Sequence, residues 1–387
     1  MTSKKQIFLK PLLNDLRTMA FPLAYIALYA IFHITSYAIL KNYSNFAYFA
    51  FIASQMVSSF FAGVLADRVS RIMLLWLCFP IAILEFWLLF NGSQTLALYI
   101  SPLFCSTTVA RAEILYKHGH HSVKNLMCYS FIAIFIVWSF FDWIADGGAK
   151  IIWPYALGVV AFFGILRGIS RKKQNHDINK NLAPRNVGAM QENKKRFSMR
   201  WVWGFLVIGI VFSQANFFSI AEGLESLHMG NRYFTLMGRM CLIGSVFCLF
   251  NNGDHKDLIY TSYSYMLMFS FAALLLSRNW NSEAWRVGIT LTSGFGGFYL
   301  PIITEQIAKL RGKKHYGQSV AIVEILIGGG SMVAGIAVLE DRGSPFLLSL
   351  CLVITAVLAV VPYKRFITLF NKHERNNEKK KKSSRKN

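Results

Sequence analysis

Stretches of roughly twenty predominantly apolar residues, each closed by charged or turn-forming residues, recur from one end of the chain to the other; that is the length a helix needs to cross a bilayer. They fall near residues 18–39, 46–66, 72–90, 95–114, 125–145 and 150–167, and again near 201–222, 233–250, 257–276, 286–304, 318–338 and 345–363. The stretch at 286–304 is the least apolar, being rich in Gly and Ser. Omitting it would put both of its flanking loops on the wrong side of the membrane. A soluble core does not explain the pattern, since 54% of the 387 residues are hydrophobic and 16% charged, with a mean hydropathy of +0.40. The expected fold is an all-α integral membrane protein, with twelve transmembrane helices in two pseudo-symmetric six-helix bundles.

The formal net charge of +22 points to the membrane rather than to nucleic acid, because the basic residues lie between apolar runs and share no single face. With both termini cytoplasmic, only Lys41, Lys150, Arg232, Arg278, Arg286 and Arg342 of the 41 Lys and Arg face outward, and Arg111 and Arg239 lie within spans. Positive residues are retained inside, so this map orients the chain in a bacterial-type inner membrane. The divisions that follow are a cytoplasmic N-terminal segment (1–17), a first bundle (18–167), a central loop (168–200), a second bundle (201–363) and a basic cytoplasmic tail (364–387). The first apolar run lacks a small-residue cleavage site and is expected to stay as a helix. All six cysteines sit in apolar runs, as packing residues. The tail reads as an anchor near anionic headgroups.

Six spans, a basic loop and six more spans are the mark of an internal repeat, a common plan for transporters of this size. Gly, Asp and a base recur in GVLADRVSR after span 2 and in NNGDHKD after span 8. Glu113 is followed by Lys117 after span 4, as Glu305 is by Lys309 after span 10.

The segment Gly63-Val64-Leu65-Ala66-Asp67-Arg68-Val69-Ser70-Arg71 resembles the signature of the major facilitator superfamily between helices 2 and 3. That signature is Gly, three residues, then Asp-Arg-x-Gly-Arg. Ser70 replaces the second Gly, and Ile72 stands where a further base is common. Gly63 allows close helix approach, and Asp67 suits the positive N-terminal end of another helix. The resemblance implies that this helix is helix 11, starting at Gly317-Gln318-Ser319. It also implies that Asp67 helps close the cytoplasmic side and that Arg68 or Arg71 pairs with an acid at the end of helix 4, for which Glu113 is the candidate. The alternative for either Arg is a simple positive-inside anchor. Gly328, Gly329, Gly330 and Gly335 in helix 11 read as packing residues.

Ionisable and polar groups inside spans mark the places to look for a solute. Arg239 in span 8 needs either an anionic ligand or an interhelical partner such as Asp142. Tyr25, Tyr29 and His33 recur every four residues on span 1, which lines the cavity in the family. Asn216 on span 7 is a further candidate. Arg111 either contacts substrate or snorkels to the cytoplasmic surface. Glu324 and Glu85 are embedded acids, of which Glu324 is the preferred carrier of a coupling proton, because the family's helix 11 borders the interface between halves. His118, His120 and His121 lack further ligands, so no metal is expected.

No cofactor is expected, and the chain reads as a non-enzyme, for it has no Walker loop, HExxH or GxSxG. The resemblance implies a secondary active transporter that moves a small organic solute across the inner membrane by alternating access, coupled to protons. The embedded bases favour an anion, a carboxylate or carboxylate siderophore. Its expected partners are that solute, protons and the lipid bilayer, with the chain acting as a monomer. The alternatives are an efflux pump for hydrophobic compounds, which the 15% aromatic content favours, and a non-transporting sensor on a transporter scaffold.

Overall fold

The computed structural model describes residues 2–40, 45–101, 106–118, 122–178, 232–251 and 294–339, and among them every regular element is helical. The expected spans 201–222, 257–276 and 345–363, the tail and most of the central loop lie outside the described residues. Lipid enforces the helical outcome. It offers no hydrogen bonds, so each backbone N–H and C=O must be satisfied within its own segment.

The helices from the first six spans are α1 (Thr2–Leu40), α2 (Asn45–Arg68), α3 (Arg71–Phe90), α4 (Gln94–Ile100), α5 (Ser106–Lys117), α6 (Val123–Trp138) and α7 (Ala149–Ile178). From the second half come α8 (Arg232–Phe250), α9 (Gly294–Arg311) and α10 (Tyr316–Leu339). Large apolar side chains such as Phe61, Trp87, Phe162 and Phe247 stand exposed. On a soluble protein so many would be an anomaly; here they face lipid.

Element boundaries differ from the sequence reading in several places. α1 starts at Thr2, so residues from the expected N-terminal segment continue the span as one helix of 39 residues. At 1.5 Å per residue it is about 58 Å long and overshoots the roughly 30 Å hydrocarbon core. α7 likewise runs eleven residues past the expected end of span 6, through RGISRKKQNHDI, whose Arg, Lys and Gln are good helix formers. The span expected at 95–114 is described as α4 and α5, with residues 102–105 between them outside the described residues. Between α6 and α7 a helical turn, Phe141–Trp143, leads into a wider π-type turn, Ile144–Gly148. Gly147 has φ +112° there, a conformation that side chains resist, and this lets the chain reverse.

The first half is packed around aromatics. Phe86 on α3 stacks on Trp153 of α7 with ring centroids 5.7 Å apart, and Phe32 of α1 meets Phe86 edge-on. Among the described residues several helix pairings join the halves. α2 packs along α10, in the most extensive helix pairing of the described residues, and α6 packs along α8 and α9. At the α2–α10 crossing a methyl group on Gly63 would lie 2.5 Å from Ala321 Cβ and 2.7 Å from the Gly317 carbonyl oxygen.

Gly63→Val should therefore push α2 and α10 apart, at a cost of about 1–3 kcal/mol for overpacking. The unfolding temperature of the purified protein should fall by about 1–4 °C. Gly158→Ala is the control, since a methyl group there meets nothing within 4 Å. It should leave the temperature unchanged or slightly raised.

Candidate functional site

α10 begins with backbone N–H groups that no preceding turn can accept. Two of them are met from the opposite half: Gly317 N–H donates to Asp67 Oδ1 at 2.6 Å and Gln318 N–H to Asp67 Oδ2 at 3.1 Å. The carboxylate thus sits on the positive end of the α10 dipole. The Tyr116 hydroxyl, on α5, lies 2.7 Å from Asp67 Oδ1 and 2.9 Å from the Lys314 carbonyl oxygen, tying the same two halves a second time. Burial, and then the bond to Asp67, push the Tyr116 phenol above its ordinary pKa, so it remains a protonated donor.

Behind this contact, Glu113 is shared between two bases. Arg71 Nε donates to Glu113 Oε2 at 2.9 Å, and Arg167 on α7 pairs with Glu113 Oε1. Arg71 also donates to the Ala66 carbonyl at 3.0 Å and lies 4.0 Å over the Tyr116 ring, while Arg167 holds the Thr18 carbonyl at 2.7 Å. Glu113 is nearly buried, and its two oxygens join α3, α5 and α7. Arg68 is exposed at the end of α2. A smaller contact joins the halves at α6: Lys124 donates to the Asn251 carbonyl after α8, and the Ser122 hydroxyl lies 3.5 Å from Glu305 on α9.

Deeper in the bundle lies a cavity of about 160 Å³ with walls from both halves, including Tyr29, His33, Gln55, Arg111, Trp138, Met237 and Glu324. By the same measure one water needs about 10–15 Å³, so the space admits a solute. Arg111 is fixed on three sides. Its Nε donates to Ser130 Oγ at 2.6 Å, its guanidinium lies 4.3 Å over the Phe131 ring, and Nη1 pairs with Glu324 Oε1 on α10. Arg111 is 2% exposed, so it turns inward and does not snorkel, while Glu324 keeps 20% of its side chain open to the cavity. Arg111 and Glu113 are two residues apart on α5, which at 100° per residue puts them on opposite faces, one toward the cavity and one toward the latch.

The expected stripe on α1 divides. Tyr29 donates to Gln55 Oε1 at 2.8 Å and lines the cavity with His33. Tyr25 is fully buried and donates to the Leu75 carbonyl at 2.5 Å, facing α3. A repeat of four drifts about 40° per step around a helix of 3.6 residues per turn, which separates the ends of the stripe. Arg239 does not line the cavity: it is exposed, with Nε 3.4 Å from the Ser139 carbonyl. Asp142, its expected partner, instead accepts from Thr235 Oγ1 and the Trp143 N–H, both at 2.8 Å. The cavity face of α8 carries Met237, Gly238 and Cys241, so position 239 turns away from it. Asn216 lies outside the described residues, as do His120 and His121. His118 lies 3.0 Å from Thr18 Oγ1, and no group of three metal-ligating side chains occurs among the described residues. Gly328 faces Met56, where a methyl group would lie 2.6 Å from Met56 Cγ.

Tyr116, Arg167, Gln55 and Ser130 were not singled out in the sequence. Tyr116 carried one usable signal, lying three residues after Glu113 and so near it on the helix surface.

No protein-family model matches the chain, and no curated protein matches it. Solved structures do. The chain is similar to the human organic anion transporter MFSD10 (TETRAN), at 12% identity and a TM-score of 0.65, over 91% of this chain and 99% of that one. A bacterial homologue of the iron transporter ferroportin, in an outward-facing state, aligns at 13% identity and a TM-score of 0.59, over 92% and 99% of the two chains. The major facilitator transporter FucP, in the outward conformation, aligns at 14% and 0.54, over 89% and 98%. The chain is a multi-pass membrane protein with the fold of the major facilitator superfamily transporters.

Proposed function

We propose that this protein is a secondary transporter that moves a small organic anion across the membrane by alternating access. The two halves rock about the central cavity, and the Asp67 contact with α10 acts as the cytoplasmic gate, with both termini inside. The observation that carries the reading is Arg111, a cation buried on the cavity wall and held in place by Ser130 and Phe131. Its fixed fork suits a carboxylate, and the one that meets it here, Glu324, stands on the same cavity wall, where a solute carboxylate would reach the guanidinium as well. Tyr29, His33 and Trp138 offer aromatic and hydrogen-bonding surface for the rest of the solute. The name of the human neighbour agrees with this cargo, but at 12% identity a shared fold carries no substrate, so Arg111 bears the argument.

The gate follows from Asp67, Tyr116 and Glu113. Asp67 and Tyr116 hold the start of α10, and the Arg71–Glu113–Arg167 set holds the helices that present them. Opening toward the cytoplasm would expose the N–H groups of α10 and leave Asp67 without them.

Arg111→Ala should weaken the thermal stabilisation given by benzoate or citrate at least about tenfold in apparent affinity, the loss expected for one charge-assisted pair. Undiminished stabilisation would remove Arg111 from the site. Asp67→Asn keeps the side chain's size and loses its charge at the helix end, worth about 1–2 kcal/mol. Initial uptake into proteoliposomes should fall about tenfold with insertion unchanged, and a cysteine introduced at the cytoplasmic end of α10 should label faster. Full uptake with unaltered labelling would refute the gate.

A further inference from the structure

α6 and α8 come from opposite halves and run antiparallel, and their contacts keep one register along their length. Just past α6, Asp142 accepts from Thr235 Oγ1. A methyl group on Gly238 would lie 2.6 Å from the Trp138 carbonyl oxygen, so the two backbones touch there. Ten residues along each helix, from 138 to 128 and from 238 to 248, the Cys128 and Cys248 thiols hydrogen-bond each other. Lys124 then donates to the Asn251 carbonyl. Both cysteines are free and fully buried. From this pairing we infer that Cys128 and Cys248 are an oxidative modification site, which a peroxide converts to a disulfide tying the two halves together. The site stands on the cysteine contact alone; its effect on motion rests on the gate reading of the Asp67 contact.

Place distinguishes this pair from the other described cysteines. Cys78 lies within the first half beside Tyr25, and Cys241 lines the cavity, where a small apolar side chain serves packing. Cys128 and Cys248 instead meet across the boundary between halves, and a disulfide needs only that their sulfurs close from hydrogen-bond distance to about 2.0 Å. The pair stands at the same end of the bundle as the Asp67 contact. α5 ends at Lys117 and α6 starts at Val123, so a short connection links Tyr116 to the cysteine end of α6. On the other side, α9 meets Ser122 through Glu305 and leads by a short turn into α10. Hydrogen peroxide is small, uncharged and hydrogen-bonding, and the border of the pair at this end is polar, with Lys124, Ser122 and Glu305. The step balances as follows: one thiol loses its proton and attacks a peroxide oxygen, the O–O bond breaks, one water leaves and a sulfenic acid remains. The second thiol displaces the hydroxyl from that sulfur, a second water leaves and the S–S bond forms. The two sulfurs lose two electrons in all, and the peroxide takes them up. A dithiol returns both thiols by exchange.

The test uses the full chain with a protease site inserted in the central loop. Purified protein is treated with hydrogen peroxide, its remaining thiols are blocked with N-ethylmaleimide, and the loop is cut. On a non-reducing denaturing gel the wild-type halves should stay joined, and dithiothreitol should part them. Peptide mass spectrometry should place the bond between Cys128 and Cys248, with the loss of two hydrogens. Cys128→Ala and Cys248→Ala keep a small side chain at the crossing, and each should give separate halves with or without peroxide. A second measurement follows deuterium uptake by the peptide that starts α10, whose Gly317 and Gln318 N–H groups are held by Asp67. Oxidation should slow that uptake at least about tenfold in the wild type and leave it unchanged in Cys128→Ala. Separate wild-type halves after peroxide, or a bond between other cysteines, would overturn the modification site. Joined halves with unchanged deuterium uptake would overturn the tie on motion. Reduced Asp67→Asn should take up deuterium faster at the same peptide; if it does not, the gate reading falls, while the gel still decides the disulfide.

Discussion

Two helices surrounded by lipid gain little from hiding apolar surface against each other, since the acyl chains are as apolar as their side chains. The α2–α10 crossing, on which the arrangement of the two halves rests, therefore depends on close fit and on directed polar contacts. Gly63 and Gly317 supply the fit by bringing the backbones together where any larger residue would collide. Asp67 supplies direction, because its two oxygens point at the first free N–H groups of α10. The fit and the charge reinforce each other. Without the glycines the carboxylate would not reach the helix end, and without the carboxylate that end would keep unsatisfied donors next to a packed interface.

The same logic runs along α5. Glu113 faces the bases of α3 and α7, and Arg111, two residues before it, faces the cavity and α10. One helix thus presents the Arg71–Glu113–Arg167 set on one side and the cavity's cation on the other. Tyr116, a turn further on, touches both Asp67 and the approach to α10. A displacement of α5 relative to α10 would strain the Tyr116 and Arg111 contacts together, so the cavity and the Asp67 contact share one element.

How much of this was legible in the sequence follows from how local each signal is. The helical class and most spans could be read because lipid imposes one period and one length on every segment. The Asp67 contact could be read from a nine-residue string whose loop position the charge map had already fixed. What could not be read is which face of a helix turns where. Tyr25 and Tyr29 are one turn apart, yet one packs against α3 and the other opens to the cavity. Arg239 and Asp142 were natural partners by charge, but the face carrying Gly238 decides which side of α8 approaches the cavity, and Arg239 lies off it. The partner of Arg111 stands 213 residues away, and no local pattern joins Arg111 to Glu324 rather than to another embedded acid. Arg167 was hidden for a different reason: a base at the cytoplasmic end of a span already has an explanation in topology, which masks a second role.

The contrast between the two embedded acids sharpens what a coupling group requires. Glu85 on α3 is fully buried, and neither of its carboxyl oxygens has a hydrogen-bond partner among the described residues. It does not line the cavity. Among the described residues it meets no counter-ion and no solute-sized opening. Glu324 has both a paired cation and a face on the cavity. Burial alone is a poor guide to function in a membrane protein, since it follows from packing as readily as from chemistry. The discriminating feature is burial beside a charged partner on a cavity wall, and Arg111 with Glu324 supplies it at the point where the two halves meet.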